Sequence, residues 1–107
     1  MPLIRIEYDD NQVSAEAAKI LSEFVRDLVS EITDIKDVFV YANSSQIKIQ
    51  VAPIEIFIEM SASKIKDKKQ LASDIKERLG LWKKTNEFAY PINLTLIPMD
   101  WVVEIDI

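Results

Sequence analysis

The sequence predicts an α+β fold: a duplicated β-α-β unit whose two helices cover one face of a single sheet. Three observations carry this. Residues 2–8 and 54–60 both alternate apolar and polar side chains at period two. An amphipathic helical pattern follows each of them. PLIRIEYD also maps onto IEIFIEMS at an offset of 52, which pairs Ile4 with Ile56, Ile6 with Ile58, Glu7 with Glu59 and Tyr8 with Met60. A strand, a helical crossover and a parallel strand place the helix on a defined side of the sheet, so two such units put both helices on the same side. The 107 residues suffice for one domain, with repeats at about 2–51 and 52–107.

The elements follow in order. In 2–8, Pro2, Ile4, Ile6 and Tyr8 share one face, and Asp9, Asp10 and Asn11 supply turn chemistry after it. Ser14 is the predicted N-cap of a helix to about Ile32, with Ala17, Ile20, Leu21, Phe24, Leu28 and Ile32 as its apolar stripe. VFVYA at 38–42 is rich in β-formers, and Gln46–Val51 alternates again after Asn43, Ser44 and Ser45; the pair reads as a hairpin. Ile54–Met60 is the clearest strand. Asp67 and Gln70 stand at capping-box spacing before a second helix whose stripe is Leu71, Ile75 and Leu79, and Gly80 reads as its C′ residue. Residues 92–97 form another strand, which Pro98 interrupts, and 101–107 alternate as a terminal edge strand.

Composition closes many routes to chemistry. Eighteen acids against 13 bases give a net charge of -5, which argues against a nucleic-acid partner. The absence of cysteine and histidine removes thiolate nucleophiles, Ser-His and Cys-His pairs and the common zinc sites, and a single glycine excludes a Gly-rich phosphate loop. Neither a metal nor a cofactor is expected. No signal segment or apolar run of membrane-spanning length is present, so the sequence-level expectation is a cytoplasmic protein without a membrane partner. The basic run Lys64, Lys66, Lys68 and Lys69 reads as a solvated face. Away from the helices, the sheet is expected to present Arg5, Glu7, Lys48, Gln50, Glu55, Glu59, Asn93 and Thr95. This is either an ordinary exposed face or the lining of a water-filled centre between three copies.

Pro2 is the remaining candidate for chemistry. Methionine before proline is normally trimmed, which would leave Pro2 with a secondary amine at the start of a strand. An α-amino group titrates near pH ~7.7–8.0 in water. Apolar surroundings disfavour its cation, so it would act as a neutral base beside a carbonyl. The start Met1-Pro2-Leu3-Ile4, the stretch Ser61-Ala62-Ser63-Lys64-Ile65 and the late pair Ile92-Asn93 resemble the tautomerase superfamily. Within it the chain is most similar to two-repeat members of the macrophage migration inhibitory factor (MIF) and 5-carboxymethyl-2-hydroxymuconate isomerase kind.

The resemblance implies a four-stranded mixed sheet with two helices on one face and a homotrimer. It also implies cofactor-independent tautomerase activity on a small carbonyl substrate, a 2-keto acid or related compound. It carries the catalytic role to Pro2 and substrate binding to Lys36, to a backbone N–H of Ala62 or Ser63, to Asn93, and to Trp101 as a pocket wall from a neighbouring subunit. The alternative is a trimeric binding or structural protein that keeps the fold without turnover. One departure stands out: small members carry an arginine after the first strand, where this chain has Asp9 and Asp10. Two acids there would repel a dicarboxylate substrate.

Overall fold

The computed structural model describes residues 1–107. Its elements are β1 (Leu3–Tyr8), α1 (Ala15–Thr33), β2 (Phe39–Asn43), β3 (Ile54–Ser61), a 3-10 turn at Ala62–Lys64, α2 (Lys68–Thr85) and β4 (Asn93–Met99). The four strands form one mixed sheet in the order β2-β1-β3-β4. Each half contributes a parallel pair, β1 with β2 and β3 with β4, and the halves meet antiparallel along β1 and β3. The sheet is therefore the duplicated β-α-β unit expected from the repeat.

The period-two strands bury one face completely. Ile4, Ile6, Ile54, Ile56 and Ile58 are inaccessible to solvent, and they pack with Leu21, Val25, Leu28, Val29, Ile75 and Leu79 of the two helices. Burying each such aliphatic side chain is worth about 1.5–3 kcal/mol, so this seam between sheet and helices holds the domain together. α1 lies against β1 and β2, α2 lies against β4, and the helices touch each other.

The predicted caps form. Ser14 Oγ accepts from the Ala17 N–H at 3.1 Å, and Asp67 Oδ1 accepts from the Lys69 and Gln70 N–H groups, both at 3.1 Å. The capping box closes only halfway, because Gln70 Nε2 donates to Asp74 instead of reaching back. Asp34 caps the C-terminus of α1 with φ 57°, a left-handed conformation that Asp tolerates better than most residues.

Several expectations are corrected. The buried stripe of α1 is Ala18, Leu21, Val25, Leu28 and Val29, while Ile20 is 48% exposed. The valines carry the packing face, and Phe24 lies at its flank, stacked on Trp82 at 4.7 Å. Gly80 is an interior helix residue rather than a C′ glycine, with no positive φ. The helix continues because Leu79 is buried in the core and Trp82 clamps the last turn onto α1. β4 runs through Pro98, which is register-paired with Met60 at the sheet edge, where a missing N–H is tolerated. Residues 101–107 form no strand. Nor does Gln46–Val51, so there is no hairpin: β2 pairs in parallel with β1 alone, and Ile47 and Ile49 are 84% and 95% exposed.

Candidate functional site

The strand directions decide which residues can meet. β1 and β2 start at the end of the sheet where β3 and β4 finish. That end collects Pro2, Lys36, Ala62, Ser63 and Trp101. Pro2 is buried, and its carbonyl accepts from the Phe39 N–H at 3.1 Å, which ties the start of β1 to the start of β2. Val38 and Met60, the residues that enter β2 and approach the end of β3, are 8% and 1% exposed, so this corner of the sheet is apolar. Met1 lies outside it at 40% exposure.

Lys36 arrives through the turn that ends α1. Asp34 takes the left-handed cap, Ser30 Oγ donates to the Ile35 carbonyl at 2.8 Å, and the Lys36 carbonyl accepts from Val38 N–H at 3.0 Å. Its backbone is thus pinned, while its side chain is exposed and makes no ion pair. Ala62 and Ser63 open the 3-10 turn after β3. The first N–H groups of a helical turn have no partner within it. Ser61 and Ser63 hydroxyls are 2.9 Å apart, and the Ile65 N–H closes the turn onto the Ala62 carbonyl. Trp101 follows β4 by two residues and is half-buried.

Asn93 is not at this end. It begins β4 opposite Glu55, and its Nδ2 donates to Glu55 Oε1 at 3.0 Å. Six residue steps of ~3.3 Å place it ~20 Å along the strand from the Pro2 end of the same chain.

The far end of the sheet holds a second set of polar groups. The Lys48 ammonium sits between Asp9, at 3.1 Å, and Asp10, and it also donates to Ser44 Oγ at 3.1 Å. Gln12 Nε2 donates to Asp9 Oδ2 at 2.7 Å and the Asn11 N–H donates to Oδ1 at 3.1 Å. Hydrogen bonds from Gln12, from the Asn11 backbone and from Lys48 hold the Asp9 carboxyl below its ordinary value; Lys48 does the same for Asp10, and Asp10 first and Asp9 next raise the Lys48 ammonium. The two acids share one ammonium and lie at the other end of β1 from Pro2, and that separation removes the basis for their repelling an anion there. Lys48 and Gln50 belong to no strand, but both stand beside Glu7, Glu55 and Phe57 of the open sheet face.

A cavity of about 350 Å³ opens beside this cluster, with Glu7, Tyr8, Lys48, Glu55 and Phe57 in its walls. Neither Pro2 nor Lys36 lines it or the other main cavities of the chain. Sequence reasoning took Lys48 and Glu55 for solvated face residues. The missed signal was the close sequence pair of acids at 9–10 together with a lone lysine in an otherwise uncharged segment.

The open sheet face is only half polar. Its rows read Phe39, Leu3, Glu59, Ile97; then Tyr41, Arg5, Phe57, Thr95; then Asn43, Glu7, Glu55, Asn93. Arg5 is its hub, 3.1 Å from Glu59 and stacked over Phe57 with its guanidinium carbon 5.0 Å from the ring centre. No helix is long and apolar enough to cross a membrane.

No protein-family model matches the chain, and no curated protein sequence does. Solved structures do. A macrophage migration inhibitory factor-like protein from Entamoeba histolytica superposes with a TM-score of 0.58 at 21% identity, covering 96% of this chain and 95% of that one. A probable enzyme from the thermophilic fungus Aspergillus fumigatus gives 0.58 at 12% identity, covering 94% and 76%. Native RhCC from Rhodococcus jostii RHA1 gives 0.54 at 16% identity, covering 95% and 82%. At these identities the likeness concerns the path of the backbone, and it extends over nearly the whole chain: this protein has the MIF-like tautomerase fold.

Proposed function

We propose that the protein is a cofactor-independent tautomerase in which Pro2, freed by removal of Met1, is the general base. The observation that carries this reading is the convergence at one end of the sheet: a buried Pro2, an ion-pair-free Lys36 and the turn at Ala62–Ser63. In an apolar corner the secondary amine is held neutral near pH 7, because burial penalises its cation. It takes a proton from the carbon α to the carbonyl of a small 2-keto acid. The C–H electron pair becomes the enolate π-bond, and the carbonyl oxygen takes the charge. Lys36 or an N–H of Ala62 or Ser63 stabilises that oxygen or the neighbouring carboxylate. The prolinium then returns the proton, to oxygen for the enol or to carbon in the reverse direction, and no redox equivalent is consumed.

A homotrimer completes the site in this reading. Three copies bring Asn93 from the far end of a neighbouring sheet, and Trp101, toward a pocket that the single chain does not enclose around Pro2. Intact mass tests the first condition, since retention of Met1 leaves Pro2 an amide without basicity. Where Met1 is lost, enol-to-keto conversion of phenylpyruvate, followed by absorbance, should fall by about 10²–10⁴ in Pro2→Ala, the usual worth of a general base. Equal rates in both proteins would leave the second reading, a trimeric binding protein on the same fold.

A further inference from the structure

The chain is acidic, yet most of its cations are gathered on one helix and its approach. Residues 64–84 hold eight bases and three acids, a local charge of +5 in a protein whose total is -5, so the remaining residues carry -10. Arg78 is committed to Glu31 on α1 at 3.0 Å. The lysines of this stretch form no ion pair. Lys69, Lys76 and Lys83 recur every seven residues. Seven residues are close to two helical turns, so these three line one side of α2 in steps of ~10.5 Å. The helix surface beside them is hollow. Ser73, Lys76, Gly80, Leu81 and Lys84 border one depression of about 430 Å³, and Gly80, Lys83, Lys84 and Phe88 border another of the same volume. The two share Gly80 and Lys84 and form one groove, which Glu77 and Glu87 also touch. A Cβ at Gly80 meets nothing within 4 Å, and Leu81 at the rim is 65% exposed. α2 covers the sheet from the side opposite Arg5 and Phe57, with Ile75 and Leu79 turned to the core, so covering the open sheet face leaves this groove reachable.

We propose that α2 is a docking surface for an acidic helix of a partner protein, with Asp or Glu recurring every seven residues opposite Lys69, Lys76 and Lys83. A second helix has the same ~10.5 Å step, so all three pairs form at once, as the charges flanking a coiled-coil seam do. In an extended segment the residues on one side recur every ~6.6 Å, which misses that step. The small side chains at Ser73 and Gly80 let the second helix approach to the ~8–10 Å of packed helices, and Leu81 gives it an apolar contact. A lipid surface would call for several apolar side chains among the lysines, and Leu81 is the one large apolar residue of α2 that is exposed. A long polyanion such as duplex DNA would run off the helix onto the acidic remainder of the chain. Exposed ion pairs are individually weak and are screened by salt, so the complex is transient and salt-sensitive. Docking on α2 needs no turnover at Pro2.

The probe is a fluorescein-labelled, alanine-rich helical peptide with Glu at every seventh residue, titrated with the full chain and followed by anisotropy. A second peptide has the same composition with its glutamates clustered at one end. The in-register peptide should bind at ~50 mM salt and weaken by ~200 mM, and the clustered one should bind several-fold less tightly. The double variant Lys76→Gln/Lys83→Gln should raise Kd roughly 3- to 30-fold. Gly80→Phe, which fills the groove and alters no charge, should also raise Kd, and both variants should keep the parent's circular dichroism spectrum. Absence of binding at the lower salt overturns the proposal, as does equal binding of the two peptides. Unchanged binding by Gly80→Phe overturns docking over the groove. Phosphatidylserine vesicles or a DNA duplex held as tightly as the in-register peptide at the same salt would make α2 a general anion attractor and overturn the acidic-helix assignment.

Discussion

The two ends of the sheet spend their charges differently. At the far end Asp9, Asp10 and Lys48 satisfy one another, and Ser44, Gln12 and the Asn11 backbone take up their remaining hydrogen-bonding capacity. At the Pro2 end, Lys36 has a fixed backbone and an uncommitted ammonium beside an apolar corner. Paired charges at β-turns and loop ends orient chain. Unpaired ones beside a buried group are available to a ligand. On the reading proposed above, architecture belongs to one end and chemistry to the other, although the cavity beside Lys48 lies at the architectural end.

Four measurements can break or sharpen that contrast beyond Pro2 itself. The largest effect is expected from Lys36→Ala. Loss of a charge-assisted hydrogen bond of about 1.5–3 kcal/mol should lower kcat/KM for phenylpyruvate roughly 10- to 100-fold with the unfolding midpoint unchanged. Lys48→Met should do the opposite, lowering the denaturation midpoint at pH 7 while the rate of the folded protein stays put, because the substitution leaves the two acids facing each other without their cation. If Lys48→Met abolished turnover and Lys36→Ala did not, the assignment of the two ends would be reversed.

The third measurement is the pH dependence of stability. Asp9 and Asp10 are held below 3.8, so their contribution is complete above that value and is lost as pH falls through the depressed values. Lys48 is held above 10.5, so its contribution is complete below that value and is lost as pH rises through the raised one. In Lys48→Met the alkaline flank should lose the Lys48 contribution and the acid flank should lose the part owed to Lys48, chiefly at Asp10, while Asp9 keeps what Gln12 and the Asn11 backbone supply; identical profiles for parent and variant would show that the cluster does not couple to folding. The smallest effect belongs to α2. A Cβ at Gly80 meets nothing within 4 Å, so Gly80→Ala should stabilise by about 0.5–1 kcal/mol in a denaturant titration.

What could be read from the chain alone was whatever depends on neighbours in sequence. Alternation over 2–8 and 54–60 marked the two central strands, because a half-buried strand repeats every two residues. Ser14 and Asp67 marked the helix starts, because a cap bonds to the N–H groups two or three residues on. The same local logic singled out Pro2, which opens an alternating strand, whereas Lys36 came only through the family resemblance.

The tertiary structure decided the rest through contacts between distant segments. Trp82 stacking on Phe24 carried α2 past Gly80, where local propensity argued for a stop. Lys48 binding the acids after β1 removed the hairpin that alternation alone had predicted. The antiparallel pairing of β1 with β3 and the parallel pairing of β3 with β4 sent Asn93 to the opposite end from Pro2. Period and capping are properties of a short stretch of chain, whereas which end of a sheet a residue occupies depends on strand directions that only long-range pairing sets.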